Sequence, residues 1–191
     1  MSKKRIAIFA SGTGSNAVNL IRYFENNSAI EVAFVLSNKS DAKVLTSAKS
    51  LDVETVFLSN EEVAKGDVLI SLCEEFEVDW IVLAGYLRLI PKELIAVFEN
   101  KIINLHPALL PNYGGKGMFG RNVHLAVLEN KEAETGITIH FVNQEFDKGE
   151  IIAQFRCAVA DEDTAEDVET KIHSLEQENL PLVIEKTILK T

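Results

Sequence analysis

Five short apolar runs, separated by four stretches with helical spacing, set the limits on what this chain can fold into. They are RIAIFA (5–10), EVAFVLS (31–37), VETVFL (53–58), WIVLAG (80–85) and IINLH (102–106). A run that is apolar at successive positions buries both of its faces, as strands inside a parallel sheet do. The segments between them read as covering helices: AVNLIRYFENN with Val18, Ile21 and Phe24 on one side, then AKVLTSAKSL, DVLISLCEEFEV, and PKELIAVFEN with Pro91 at its start. The expected fold is α/β, a doubly wound, mostly parallel Rossmann-like sheet. After residue 110 the style changes. TGITIHFV (135–142) and EIIAQFRCAV (150–159) are longer and alternate, which predicts an antiparallel pair added to the sheet. Thr164, with Asp167 three residues on, opens a long last helix. Pro181 is expected to interrupt that helix or divide it in two. No linker composition separates these blocks, so residues 1–191 are expected to form one domain.

Composition narrows the function. With 47% hydrophobic residues the chain can bury a sizeable core, and a net charge of -10 argues against a nucleic-acid surface. No apolar stretch reaches membrane-spanning length, and the apolar run after MSKK is too short for a secretory signal. Cys73 and Cys157 lie far apart and form no C-x-x-C pair. They are expected to be free thiols in a reducing compartment, which implies a cytoplasmic protein. The four histidines, His106, His124, His140 and His173, have no metal-ligand spacing, so no metal is expected. The expected partners are small molecules, with neither nucleic acid nor membrane; the oligomeric state is left open.

Two local patterns carry chemistry. SGTGSN (11–16) lies between the first strand and the first helix. Glycines there let backbone N–H groups approach an anion at the positive helix end, so a phosphate site is favoured over an empty tight turn. NAD is disfavoured, because the second strand ends in Ser37-Asn38-Lys39 with no acid for a ribose, which leaves NADP as the weaker alternative. The second pattern is Asn104 and His106, two apart at the end of the fifth strand and therefore on one face, with Leu105 opposite. An amide donor beside an imidazolium suits a developing oxyanion. A strand-end asparagine making a turn bond, next to a histidine satisfied by backbone, reads equally well. Asp147, before Lys148-Gly149, is either a turn residue or a partner that faces His106 and raises its pKa. His140, in mid-strand, reads as a structural histidine.

In order along nearly the whole chain, SGTGSN, VLSNK, VLAGYLRLIP, INLHPALLP, TGITIHFV, FDKGEIIAQ and LEQENLPLVI resemble the formyltetrahydrofolate-dependent formyltransferases. NLHPALLP followed by FDKGEII is specific to that superfamily. GTGSN resembles the members that bind a ribonucleotide phosphate rather than those that formylate transfer RNA. The resemblance implies formyl transfer from 10-formyltetrahydrofolate, a co-substrate, to a ribonucleotide amine. It implies a catalytic trio of Asn104, His106 and Asp147. It assigns Gly14, Ser15 and Asn16 to the phosphate turn, with Pro107 and Glu176 as further ribonucleotide contacts. Leu87, Arg88, Leu89 and Ile90 would line the folate's pteridine pocket, and Val142, Asn143, Gln144, Glu145 and Phe146 would form a folate loop running into Asp147. A phosphate-binding half of about 1–100 would then precede a folate-binding and catalytic half of about 101–191.

Two segments depart from the family pattern. NYGGKGMFGRNVH is longer and richer in glycine, so no contacts transfer to Gly114–Gly120. SNEEVAKG (59–66) has no clear match to the basic residue that some members set against phosphate, and Lys65 is the only candidate there. The nearest rival is a deformylase, which gives the formyl group to water. Such enzymes carry an N-terminal regulatory domain, for which a first strand at Arg5 is expected to leave no room. Transfer-RNA formylating members add a C-terminal domain, which a chain ending at Thr191 is expected to lack. A non-catalytic nucleotide-binding module would explain the glycine loop but not the trio.

Overall fold

The computed structural model describes residues 2–190; Met1 and Thr191 lie outside it. The elements run β1 (Lys4–Phe9), α1 (Ser15–Phe24), β2 (Ile30–Ser37), α2 (Lys43–Lys49), β3 (Glu54–Phe57), α3 (Asn60–Val63), α4 (Gly66–Glu75), β4 (Trp80–Leu83), α5 (Lys92–Val97), β5 (Ile102–His106), α6 (Arg121–Glu129), β6 (Glu134–Phe141), β7 (Ile151–Ala158) and α7 (Ala165–Ile188). All strands form one sheet in the order β3-β2-β1-β4-β5-β6-β7. The pairs from β3 to β5 are parallel, and β6 and β7 add antiparallel pairs, as the change of pattern after residue 110 predicts.

Strand alternation divides the core into two layers. Ile6 and Ile8 of β1 pack with Leu20 and Phe24 of α1, Val44 of α2 and Val168 and Ile172 of α7. Ala7 and Phe9 turn the other way, to Val63 of α3, Leu69 of α4 and Leu94 of α5. Each large apolar side chain buried in this way contributes about 1.5–3 kcal/mol. On β5, Ile103 and Leu105 enter the first layer and Ile102 the second. Asn104 and His106 have the parity of Ile102, so they project from the face opposite α1 and α7.

Two helices were not foreseen from sequence. The one-turn α3 is held by a reciprocal capping box, in which Ser59 Oγ accepts from Glu62 N and Glu62 accepts from Ser59 N. The helix α6 follows the glycine-rich segment and buries Val123, His124 and Val127. Its apolar spacing is short and was masked by the glycines before it.

Pro181 corrects a second expectation, because α7 runs unbroken through it. A proline in a helix frees the carbonyl four residues earlier. Here that carbonyl belongs to Gln177, and Asn19 Nδ2 of α1 donates to it at 2.8 Å. A neighbouring side chain thus replaces the missing backbone donor, and the helix continues.

The sheet order reverses about β1, whose neighbours are β2 and β4, and the loops leaving β1 and β4 part there to open a crevice. Ser11 joins the two loops. Its N–H donates to Gly85 O, and its hydroxyl accepts from Leu87 N at 2.9 Å while donating to Asn38 Oδ1 at 2.6 Å. Asn38 continues the network to Asn60 Oδ1 of α3. At the start of α1, Gly14 has φ 78°, and an added Cβ would lie 2.2 Å from Val44 Cγ2. Gly14 therefore serves helix packing as well as any ligand. Gly14→Ala is expected to lower stability by about 1–3 kcal/mol, the cost of a strained backbone position, read as a shift in denaturation midpoint. Gly12→Ala, whose Cβ meets nothing within 4 Å, is expected to leave the midpoint in place.

Candidate active site

The antiparallel register of β5 and β6 sets Asn104 opposite His140 and His106 opposite Thr138. Thr138 pins the chain beyond Pro107: its hydroxyl donates to Ala108 O at 2.6 Å and accepts from Leu110 N at 3.0 Å. Gln154 Nε2 of β7 donates to Leu110 O and to the same hydroxyl. With the strand end fixed, Asn104, His106, His140 and Asp147 converge. Asn104 Nδ2 is 3.0 Å from His140 Nε2 and 3.5 Å from Asp147 Oδ1. His106 Nδ1 and His140 Nε2 each lie 3.7 Å from Asp147 Oδ1.

Backbone groups assign the protons. His106 Nε2–H donates to Tyr113 O at 2.8 Å, so Nδ1 is the nitrogen facing Asp147. His140 Nδ1–H donates to Phe141 O at 2.8 Å, so Nε2 accepts from Asn104. Asp147 Oδ2 accepts from Gly115 N at 2.8 Å. The turn at Tyr113–Gly115 therefore braces the cluster: Tyr113 offers a carbonyl to one member, and Gly115 an N–H to another.

Burial and charge compete here. Burial pushes the Asp147 carboxyl up, but the His140 imidazole, the Gly115 N–H and the nearby His106 ring together hold it below the usual carboxylate range. His106 shows the opposite balance and corrects an expectation. Burial lowers its pKa most, Asp147 and the Tyr113 carbonyl raise it, and His140 lowers it further; the net direction is down. Asp147 acts with the predicted sign, but an imidazole only 4% exposed loses more by desolvation than one carboxylate restores.

The cluster opens on a cleft of about 870 Å³. Gly14, Ser15 and Asn16 line one end with Glu176, and Asn16 Nδ2 donates to Glu176 Oε2 at 2.9 Å. The first turn of α1 has no side-chain cap, so its N–H groups are open to an anion. Pro107 lines the cleft as well. Leu87, Arg88, Leu89 and Ile90 also line the cleft, as do Val142, Asn143, Glu145 and Phe146. Gln144, on the same loop, is not among the lining residues, and neither is Lys65, which sits at the N-cap of α4. Lys116 and Arg88 are the basic side chains in the lining. Sequence reasoning passed over Lys116, His124 and His140. Of these, His140 was within reach, since pairing TGITIHFV antiparallel to IINLH puts it beside Asn104.

A Rossmann-like sheet with an Asn–His–Asp cluster at a strand end, facing a glycine loop across one cleft, defines a group-transfer enzyme of the formyltransferase class. The chain belongs to the Formyl transferase family, whose pattern matches residues 4–184. It is 36% identical to the chloroplastic phosphoribosylglycinamide formyltransferase of Arabidopsis thaliana, over 97% of this chain and 67% of that one, so it spans about two thirds of the plant protein. It is 38% identical to the phosphoribosylglycinamide formyltransferase of Haemophilus influenzae, over 95% of this chain and 85% of that one. The crystal structure of phosphoribosylglycinamide formyltransferase from Streptococcus pneumoniae superposes with a TM-score of 0.86 at 32% identity, covering 97% of this chain and 99% of that chain. The family resemblance and the α/β fold read from the motifs are borne out.

Stability should depend on pH through the buried imidazoles. Burial also lowers the pKa of His124, 3% exposed, against an opposing pull from Glu169. A histidine whose folded pKa is depressed favours its uncharged form in the fold. Its contribution is complete above the unfolded value of about 6.5 and is lost as pH falls through the folded value. Denaturation free energy is thus expected to fall from pH 7.5 to pH 5, and less steeply in His124→Gln. Parallel curves for the two proteins would show that His124 does not titrate with unfolding.

Proposed function

We propose that the chain transfers the formyl group of 10-formyltetrahydrofolate to the amine of glycinamide ribonucleotide, giving formylglycinamide ribonucleotide and tetrahydrofolate, a step of de novo purine synthesis. The observation that carries this reading is the convergence of Asn104, His106 and Asp147 on one cleft that an uncapped helix start and an apolar segment also line. The backbone N–H groups of Gly14, Ser15 and Asn16 receive the phosphate, and Glu176 accepts from ribose hydroxyls beside Pro107. The folate pteridine lies against Leu87, Arg88, Leu89 and Ile90, with Val142, Asn143, Glu145 and Phe146 closing over it. Gln144 supports that loop from outside the lining. In this scheme one domain holds both substrates, with the phosphate turn from about 1–100 and the catalytic groups from about 101–191. The free thiols Cys73 and Cys157 support a cytoplasmic setting.

The chemistry follows from which hydrogen bonds are weakest. The amine attacks the formyl carbon and negative charge grows on the formyl oxygen. Asn104 holds His140 at 3.0 Å but reaches Asp147 at only 3.5 Å, so its second N–H is the one a formyl oxygen can take over. Losing that contact leaves Asp147 Oδ1 ready for a proton from the attacking amine, directly or through a water. His106, kept uncharged by burial, has a lone pair on Nδ1 facing the same carboxylate. It can take up that proton and return it to the folate nitrogen as the carbon–nitrogen bond breaks. Proton count is conserved, and no covalent enzyme intermediate is required.

Formyl transfer measured with and without glycinamide ribonucleotide tests the assignment. Release of formate at the same rate in its absence would identify a deformylase instead. Asp147→Asn removes the proton acceptor and the charge that supports His106. Its turnover is expected to fall by about 10²–10⁴-fold. The His106 pKa, followed by NMR titration, is expected to drop below its already lowered wild-type value. Unchanged turnover with an unchanged titration would reduce Asp147 to a turn residue.

A further inference from the structure

The helices α1 and α7 are joined by polar bonds where they meet at the glycine-loop end of the cleft. Asn16 Nδ2 donates to Glu176 Oε2 at 2.9 Å, and Gln177 Nε2 donates to Asn16 Oδ1 at 2.7 Å. One turn along α1, on the same face, Asn19 Nδ2 donates to the backbone carbonyl of Gln177 at 2.8 Å. That carbonyl is available only because its helical partner would be the absent N–H of Pro181. Residue 177 is therefore held twice by α1, by its side chain and by its backbone.

The consequence falls on the Asn16 amide. Its oxygen accepts and its nitrogen donates, and a half-turn about the last side-chain bond exchanges them. The Glu176 carboxylate only accepts, so nitrogen must face it. The Gln177 amide presents an N–H, so oxygen must face that side. Two neighbours that demand the same orientation fix it. One Asn16 N–H is spent on Glu176, and the other remains for the cleft that Asn16 lines.

We propose that Gln177, seated by Asn19 and Pro181, is a positioning residue that sets the orientation of the Asn16 amide. It thereby gives the ribonucleotide end of the cleft one donor for phosphate or ribose oxygens beside one acceptor for ribose hydroxyls. Gln177 is not itself among the lining residues, so it acts through Asn16. The proposal rests on the preceding reading that Asn16 and Glu176 hold the ribonucleotide.

Steady-state kinetics against each substrate test it, with thermal melting as a control on folding. Gln177→Glu sets a carboxylate against Asn16 Oδ1, so the amide must either turn over and face Glu176 with its oxygen or tolerate a repulsive contact. Gln177→Met keeps length and removes the donor, and it carries the test by itself if the charged variant does not fold. The KM for glycinamide ribonucleotide is expected to rise about tenfold or more in Gln177→Glu and less in Gln177→Met, the scale of one charged or neutral hydrogen bond. The KM for 10-formyltetrahydrofolate and the kcat are expected to stay within about twofold, since neither folate nor the trio touches Gln177. An unchanged ribonucleotide KM, or equal rises in both KM values with a lowered melting point, overturns the proposal. Asn16→Ala and Glu176→Ala separate the two levels. If they raise the ribonucleotide KM while the Gln177 variants do not, only the positioning role fails; if they leave it unchanged, the ribonucleotide assignment fails with it.

Discussion

The antiparallel pairing of β5 with β6 is the constraint on which the site depends. It sets Asn104 against His140 and His106 against Thr138. Side chains alternate along a strand, so a slip of one residue would send Asn104 and His106 into the layer now filled by Ile103 and Leu105. Four neighbouring apolar positions resist that slip. Ile103, Leu105, Ile137 and Ile139 are buried together against α7, and a slip of one residue in β5 would turn Ile103 and Leu105 out of that layer. The hydrophobic effect, which has no directional preference of its own, thereby fixes polar atoms to within hydrogen-bond distance. The extra antiparallel strands are needed for a second reason. A parallel sheet ending at β5 would leave an open edge there, whereas β6 covers it and supplies His140.

Within the cluster, desolvation and charge give different outcomes for neighbouring groups. Asp147 is more exposed than either imidazole beside it, 13% against 4% and 2%, and it accepts a backbone N–H from Gly115. Its charged form is therefore solvated in part by the protein. His106 has one carbonyl and one carboxylate at 3.7 Å to support a positive charge, and these do not offset its burial. The result is an anion beside an uncharged base, a pair able to move a proton without either partner being trapped by it.

Much of this was legible in the sequence, for identifiable reasons. The parallel strands were visible because burial on both faces makes a strand apolar throughout. Thr164 and Asp167 announced the start of α7, and they form a reciprocal capping box there. The nearness of Asn104 and His106 followed from a period of two. The failures came where the deciding partner is distant. Pro181 was read as a break because its replacement donor, Asn19, precedes it by most of the chain. The His106 pKa was assigned the wrong direction because the charge of Asp147 can be read locally, while burial is a property of the whole fold. His140 was set aside because its role exists only through the β5–β6 pairing. Lys65 was considered as a phosphate contact on segment position alone, and the capping box of α3 leaves it at the start of α4, outside the cleft lining.

The glycine-rich segment that departs from the family pattern has a steric and a polar logic. Between Leu110 and Asp147 there is no space for a side chain: a Cβ on Gly114 would lie 2.6 Å from Leu110 Cδ2 and 3.2 Å from Asp147 Cβ. On either side, Tyr113 and Gly115 both adopt positive φ, 56° and 93°. This tight path aims two adjoining peptide groups at two members of the cluster with opposite polarity. The Tyr113 carbonyl can only accept, so it keeps a hydrogen on His106 Nε2. The Gly115 N–H can only donate, so it favours the ionised form of Asp147. Together they leave the lone pair of His106 Nδ1 on the side of the carboxylate, 3.7 Å away. Neither backbone group can reverse its role as a side-chain amide can. The polarity of both contacts is therefore built into the main chain.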